Sequence, residues 1–223
     1  MITKTEIANN ALALLAAGRI SNVLDADDEK SRQINAVFDS VAKQVIRTHR
    51  WSCCIKRATL ARLTEAPVVS GTFGYKYKYQ LPSDSLRFLD INGEPWSSKT
   101  LRFDINNGGE LHTDDGTVNI RYVAWISDVS TWDVLLAEAV SVKLAQRIAR
   151  RITKDGISGE QLNAEYQRTI ANAMRVDAME VGSGENSPLE RILETSPIVQ
   201  AGNQGIFSRN TVLGINVNYE VPR

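Results

Sequence analysis

The chain has 223 residues and no formal net charge, because 26 lysines and arginines balance 26 aspartates and glutamates. This balance excludes a protein that grips nucleic acid over its whole surface, since such a surface is usually basic. The charge balance does not exclude a local basic patch. Hydrophobic residues make up 43% of the chain and charged residues 23%, which is typical of a globular domain, alone or with an appendage.

The two cysteines, Cys53 and Cys54, are adjacent in the sequence. Neighbours on a strand point to opposite faces, so we expect these thiols to be badly placed to bond each other. A buried, inert role is favoured over a nucleophilic one. The cysteines do not have the spacing of a zinc site, and two cysteines without a disulfide framework fit a reducing cytosol. No apolar run approaches the ~18 residues of a membrane span, so no membrane partner is expected.

The amino-terminal part has the periodicity of two helices. The first is predicted over about residues 3–18, with Thr3 or Thr5 as its cap, Glu6 in the capping-box position after Thr3, and its end at Gly18. The second is predicted over about residues 27–50, where apolar residues recur at three- and four-residue steps. The acidic run at 25–29 favours the start of this second helix.

Short strands and turns are predicted over about residues 52–126, as one small sheet inserted between helices. Residues 74–81 alternate clearly, with three tyrosines on one face. Hairpin-type turns are predicted at 92–93 and 107–109, and Asp114-Asp115-Gly116 is expected to join the last two strands.

Helical spacing returns over about residues 131–154, and again over about 158–182 after a cap at Ser158. The expected fold class is α+β. We expect an antiparallel-type helical bundle of about four helices with an inserted small β region and an extended C-terminal arm. Residues 1–182 are then a single domain.

Residues 183–223 differ in kind, because glycine and proline are frequent and long apolar repeats are absent. The segment becomes β-prone towards its end, as expected of an arm that becomes ordered on a partner by adding a strand. Its candidate partner-binding residues are Ile206, Phe207, Val212, Leu213, Ile215, Val217 and Tyr219.

Large aromatic residues are predicted to be structural anchors. Trp51, after His49 and Arg50, is compatible with a functional cluster, but burial against the sheet is favoured. The remaining anchors are Tyr75, Tyr77 and Tyr79. A base-stacking platform is the alternative for these tyrosines. A half-buried sheet face interleaved with solvated Lys76 and Lys78 is favoured.

Basic residues recur near the end of the third predicted helix. They are Arg147, Arg150, Arg151 and Lys154. These side chains are compatible with contact to DNA or to an acidic partner, and a solvated face near a helix C-terminus is favoured.

Signatures of catalysis are few. His49 and His112 are the only histidines, and no nucleophile elbow, phosphate-binding loop or zinc-protease motif occurs. The carboxylate pairs Asp27-Asp28 and Asp114-Asp115 are compatible with a glycosidase, but turn and helix-start positions favour aspartate for backbone reasons. We therefore predict no catalytic site, metal or cofactor.

Several stretches resemble one known family. His49-Arg50-Trp51 ends the second helix, and a strand with the sequence Lys-Arg-Ala-Thr-Leu-Ala follows at 56–61. Residues 73–87 then read Phe-Gly-Tyr-Lys-Tyr-Lys-Tyr-Gln-Leu-Pro-Ser-Asp-Ser-Leu-Arg. Over about residues 1–182 the chain resembles the tail tubular protein A family, the head-to-tail connector (adaptor) proteins of short-tailed bacteriophages.

The resemblance implies a virion structural protein rather than an enzyme. Family members form a homo-oligomeric ring, dodecameric in the family, between the portal protein and the tail nozzle protein. DNA transits the lumen without sequence-specific binding, and assembly takes place in the cytoplasm of the host bacterium. Two alternatives stay open: a tail-associated cell-wall or polysaccharide hydrolase, and a DNA-binding accessory factor.

Overall fold

The computed structural model describes residues 1–64, 74–95, 102–106, 109–152 and 159–180. It confirms the α+β class. The helices are α1 (Lys4–Leu14), α2 (Glu29–Thr48), α3 (Val134–Ile152) and α4 (Gly159–Glu180). Two 3₁₀ turns, Ser52–Cys54 and Val129–Thr131, flank the β region. Residues Met1–Asp177 form one compact unit, and the described residues of the second unit, 178–180, are the last of α4.

The first helix begins as predicted, because the Thr3 hydroxyl accepts a hydrogen bond from the backbone N–H of Glu6 at 3.1 Å. Its end was predicted wrongly. α1 stops at Leu14, well before Gly18, and Ala16 adopts a left-handed conformation with φ 51°. The N–H of Ala17 then bonds the Leu12 carbonyl at 3.0 Å. A Schellman-type cap therefore ends the helix without the usual glycine.

Replacing Ala16 by glycine is expected to raise the free energy of unfolding by about 1 kcal/mol, because glycine has no Cβ to penalise the left-handed conformation. Ala16 is exposed, so little packing is lost. The control is Ala36→Gly, at an exposed position inside α2, which should lower the free energy of unfolding by about the same amount. Urea denaturation measures both, and a loss of stability in both variants would contradict the cap.

The third helix lies at the centre of the helical layer. The Asp133 carboxylate caps its start by accepting hydrogen bonds from the N–H groups of Leu135 (2.8 Å) and Leu136 (3.3 Å). α3 packs against both α1 and α2. Its residues from 136 to 145 are buried apart from Glu138 and the half-buried Lys143. This burial explains why the segment is rich in alanine and small aliphatic residues.

The strands are β1 (Ile55–Thr59), β2 (Tyr77–Gln80), β3 (Ser85–Ile91), β4 (Glu94–Pro95), β5 (Phe103–Ile105), β6 (Glu110–Thr113) and β7 (Asn119–Ala124). The prediction of one small sheet is wrong, because they form two antiparallel sheets. The four-stranded sheet has the order β1-β7-β3-β4, and the three-stranded sheet has the order β2-β6-β5. Asp114-Asp115-Gly116 therefore connects two sheets rather than neighbouring strands.

A second sheet forms because strand β7 buries apolar side chains on both of its faces. Val123 packs into the core shared with the helices, whereas Ile120 and Tyr122 pack into a second core with Tyr79 and Leu111 of the three-stranded sheet. A strand that is buried on both sides needs cover on both sides. The described fold is accordingly layered, with the four-stranded sheet between the helices and the three-stranded sheet.

The hairpin turn at 92–93 is confirmed. Asn92 and Gly93 have φ values of 51° and 86°, as a two-residue turn of this type requires at both positions. The turn joins β3 to β4, with Ile91 opposite Glu94. At the second predicted turn, Gly109 has φ 73° between β5 and β6. Residues 107–108 lie outside the described residues.

Candidate interaction surface

Trp51 follows α2 and is completely buried. Its indole Nε1 donates a hydrogen bond to the carbonyl oxygen of Val45 at 3.2 Å, which satisfies the polar end of the ring. The ring meets the His49 ring edge-on, with centroids 5.0 Å apart. It belongs to the core between the helices and the four-stranded sheet. Trp51 thus holds the chain where it leaves α2 for β1.

Asp177, on α4, holds the turn after Trp51. Its Oδ1 accepts hydrogen bonds from the N–H (2.9 Å) and hydroxyl (2.7 Å) of Ser52, and its Oδ2 lies 3.0 Å from Nε2 of His49. This grouping differs from a serine-hydrolase relay, in which the histidine lies between the serine and the carboxylate. Here both partners contact the carboxylate, so the arrangement ties α4 to the α2–β1 junction.

Sequence reasoning missed Asp177, although a signal for it exists. The buried stripe of α4 is Leu162, Tyr166, Ile170, Ala173 and Asp177. A carboxylate at the next position of an apolar stripe predicts a buried acid that needs hydrogen-bond donors.

Stability is expected to fall as the pH is lowered from about 7.5 to about 5.5, in part through His49. Burial lowers the pKa of His49 below its ordinary value of 6.5, although the Asp177 carboxylate opposes this shift. The unfolded chain therefore binds the proton first, and unfolding becomes easier as the pH falls through 6.5. Glutamine keeps a side-chain N–H donor but does not titrate. His49→Gln should flatten the pH dependence of urea denaturation in this range, and an unchanged dependence would contradict the assignment.

Basic side chains gather near the C-terminal end of α2, on the helix-facing side of the four-stranded sheet. We call Arg50, Arg57, Arg87 and Arg121 the arginine cluster. Arg57 lies directly opposite Arg121 across β1 and β7. Nε of Arg121 is 2.5 Å from Oδ2 of Asp90, and Nη1 of Arg87 donates to the Thr48 carbonyl at 3.5 Å.

The arginine cluster carries an excess of positive charge. Burial and the charge of Arg121 lower the pKa of Arg50, while Asp90 opposes this shift. Among the residues that the structure describes, two carboxylates lie in or beside this group: Asp90 pairs with Arg121, and Asp177 pairs with the neighbouring His49. Four guanidinium groups and two carboxylates give this described part of the surface a local excess of about two positive charges, in a protein with no net charge.

The opposite end of α2 carries the opposite charge. We call Asp25, Asp27, Asp28 and Glu29 the acidic segment. Asp28 caps the helix by accepting the N–H of Ser31 at 3.2 Å, and Glu29 pairs with Arg32. With Lys30 and Arg32 as the nearby cations, the segment keeps an excess of about two negative charges. The 20 residues of α2 place the two charged regions about 30 Å apart.

The three tyrosines of the β region have different surroundings. Tyr79 is 1% exposed, and its hydroxyl donates to the Asp115 carbonyl at 2.8 Å. Tyr77 and Tyr75 are half-buried. The guanidinium of Arg62 lies 3.9 Å from the centroid of the Tyr77 ring, and that of Arg102 lies 5.0 Å from the Tyr75 ring. Arginines therefore occupy the ring faces that a stacked base would need.

The expectation that Lys78 is solvated is wrong, whereas Lys76 is exposed as predicted. Lys78 is 8% exposed, and its Nζ lies 3.7 Å from the Glu110 carboxylate. It faces His112 across the β2–β6 pair. Its aliphatic stem covers the sheet while the ammonium reaches a carboxylate, which makes burial of the lysine acceptable.

The carboxylate pairs act within turns and caps. Asp114 accepts the backbone N–H of Lys76 at 3.0 Å and contacts Arg102 at 3.4 Å. Asp115 lies 3.4 Å from the side-chain amide of Asn92. In the described residues, no group of three or more histidine, cysteine, aspartate or glutamate side chains is placed to hold a metal ion.

The prediction that Cys53 and Cys54 point apart is wrong. The residues form a 3₁₀ turn rather than a strand, and their Sγ atoms lie 3.7 Å apart. In a 3₁₀ turn the backbone is helical, so adjacent side chains do not alternate between opposite faces as they do in a strand.

Basic residues at the end of α3 are exposed in the described part: Arg147, Arg150 and Arg151. Lys154 and the Ser158 cap lie outside the described residues, as does the whole proposed arm with Ile206, Phe207, Val212, Leu213, Ile215, Val217 and Tyr219.

Comparison of the chain with protein-family models and with curated proteins found no match. Among the described helices, none combines the length and apolar character needed to cross a membrane.

Proposed function

We propose that the chain is a structural subunit of a ring, the adaptor between the portal and the tail nozzle of a short-tailed bacteriophage, with DNA passing through its lumen. One observation carries this proposal: opposite charge excesses lie at the two ends of α2. A ring of identical subunits needs a heterologous contact, in which one patch meets a different patch on the neighbour. The arginine cluster and the acidic segment are two such patches.

The neutral net charge also supports self-association, because identical chains do not repel each other strongly. Each copy offers one patch to each side. The two patches lie about 30 Å apart. When the arginine cluster of one copy contacts the acidic segment of the next, each copy still has its other patch available, so a third copy can bind. Contacts of this kind close into a ring when the rotation between neighbours allows it.

Within the ring we assign the wall to an antiparallel bundle of the four helices. Packing of α3 against α1 and α2, and the buried stripe of α4 in the same core, support this arrangement. The β region faces the next tail component. Residues 183–223 form an extended arm that contacts a neighbouring subunit or the portal, and their glycine- and proline-rich, later β-prone composition supports this role.

The stretches that carry the family resemblance occupy the centre of the described fold. Trp51 is the buried residue after α2, and the Lys-Arg-Ala-Thr part of the following motif lies in β1. The second motif covers β2, the turn at 82–84 and the start of β3. These residues hold the helical layer and both sheets together, which supports a shared architecture with the connector family.

Electron microscopy of the purified protein, incubated with the portal protein of the same phage, tests the proposal. We expect closed rings seated on one face of the portal, with a single subunit number in rotational averages. Portals that remain bare at saturating protein would overturn the proposal. In this proposal the ring is assembled in the cytoplasm of the host bacterium and stays in the virion at the head-tail junction.

The arginine cluster also favours a second candidate, a DNA-binding accessory factor, because guanidinium groups bind phosphate. Binding of a short DNA duplex, measured at increasing salt concentration, distinguishes the accessory factor from the ring subunit. An accessory factor binds in dilute salt with an affinity that falls steeply with salt concentration, and Arg57→Glu weakens it. A ring subunit whose cluster meets the acidic segment shows no such binding once assembled.

A further inference from the structure

Cys53 and Cys54 lie in the 3₁₀ turn between α2 and β1, with their Sγ atoms 3.7 Å apart. Cys54 is buried, whereas Cys53 is partly exposed. A dissolved reagent therefore meets Cys53 first, with a second thiol directly behind it. An accessible thiol beside a resolving thiol is the arrangement found in redox-sensitive cysteines.

The surroundings of Cys53 favour its thiolate. A hydrogen bond from the Cys54 thiol lowers the pKa of Cys53 to about 7, and the backbone N–H of Asp133 acts in the same direction. Burial and the carboxylates of Asp133 and Asp177 oppose this shift. Asp133 directly precedes α3 and caps it, so Cys53 lies at a helix N-terminus, where the partial positive charge favours a thiolate. The shared hydrogen bond and burial raise the pKa of Cys54.

We propose that Cys53 and Cys54 form a reversible oxidation site that reacts with hydroperoxides and gives a vicinal disulfide. The Cys53 thiolate attacks one peroxide oxygen, the O–O bond breaks, and the other oxygen takes up a proton and leaves as water or an alcohol. The Cys54 sulfur then attacks the Cys53 sulfenic acid, so that an S–S bond forms and the S–O bond breaks. The hydroxyl group leaves as water with the Cys54 proton. The two thiols lose two electrons, which reduce the peroxide.

Oxidation has a structural consequence in this turn. Adjacent Cα atoms lie ~3.8 Å apart, below the ~4.4–6.8 Å of most disulfides, so the product is strained and easily reduced. The turn must change shape to accept the bond. Ser52 belongs to the same turn and donates two hydrogen bonds to Asp177 of α4. The disulfide therefore weakens the attachment of α4, whether or not the chain assembles into a ring.

Mass spectrometry of the full-length protein tests the site. Cleavage after Arg50 and Lys56 gives one peptide, 51–56, that contains both cysteines. After mild hydrogen peroxide and alkylation of the unfolded chain, we expect this peptide to have lost two hydrogens, to carry no label, and to be restored by dithiothreitol. Two alkylated cysteines, or disulfides only between different chains, would overturn the proposal.

Two variants separate the roles of the thiols. Cys54→Ala removes the resolving thiol, so the Cys53 sulfenic acid should persist and be trapped by dimedone, whereas Cys53→Ser should leave Cys54 unreacted. Dimedone labelling of Cys54 in the second variant would overturn the assignment of Cys53 as the attacking group.

The wild-type chain gives a test that does not depend on a variant folding. At pH 7 a thiol with a pKa of about 7 holds about fifteenfold more thiolate than an ordinary cysteine. A thiolate of lower pKa is also a weaker nucleophile, so the folded protein should consume peroxide about threefold faster per reacting thiol than the urea-unfolded protein. Equal or slower consumption per reacting thiol overturns the proposal. Oxidation should also raise amide hydrogen exchange in α4, and unchanged exchange overturns the link to that helix.

Discussion

Reversing two charges of the arginine cluster, with Arg57→Glu and Arg87→Glu together, is expected to abolish ring assembly. The acidic segment of the neighbouring subunit would then face carboxylates instead of guanidinium groups. Like charges placed against each other at an interface cost several kcal/mol, so each subunit contact should weaken by at least about a hundredfold. Sedimentation or light scattering of the variant with portal should show no ring.

The chain offers a matched control for this reversal. Arg150→Glu and Arg151→Glu change the net charge equally at exposed positions near the end of α3, outside both charged regions. This control should assemble like the wild type. Equal loss of assembly in both double variants would show that net charge, rather than the arginine cluster, sets the association.

Complementation makes the same prediction more specific. A second variant, Asp27→Lys with Glu29→Lys, carries two basic patches, and the first variant carries two acidic patches. Neither should form rings alone, but a mixture should form alternating rings, because each unlike pair of patches is restored. Failure of the mixture, with both variants folded, would contradict the pairing of these two patches.

Replacing Trp51 by alanine is expected to lower the free energy of unfolding by about 3–5 kcal/mol, as for other fully buried large aromatic residues. The substitution leaves a cavity between α2 and the four-stranded sheet and removes the hydrogen bond to the Val45 carbonyl. Circular dichroism in urea measures the change without relying on tryptophan fluorescence.

The conservative change Trp51→Phe separates packing from hydrogen bonding. Phenylalanine fills most of the volume but has no N–H donor, so it should cost no more than about half as much as alanine. A loss below about 1 kcal/mol for Trp51→Ala would show that the junction after α2 does not depend on this side chain.

Elements set by local sequence were predictable from the chain alone. The start of α1 follows from the Thr3 cap, and the turn at 92–93 follows from an Asn-Gly pair that accepts positive φ at both positions. In each case the deciding interactions lie within a few residues of one another.

Features that depend on distant neighbours were missed. The single predicted sheet is divided in two, because both faces of β7 need cover. Lys78 is buried because Glu110 lies beside it on another strand. None of these partners is adjacent in the sequence.

The candidate surface was predictable only in part. The sequence places His49 and Arg50 together as a candidate cluster, but Arg57 and Arg121 become neighbours only through the β1–β7 register. The closeness of the two thiols is not predictable from the sequence, because residues 52–54 form a 3₁₀ turn at the border of a segment with a strand-like pattern. Charge patches of this kind come from topology, which no periodicity in one segment reveals.

The molar mass of the purified protein, alone and mixed with the portal protein at matched salt, tests ring formation most directly. Light scattering should show a small species alone that converts on the portal to one discrete large assembly, with a mass that corresponds to a closed ring. A protein that keeps the same small mass at every portal concentration would contradict the proposed adaptor function.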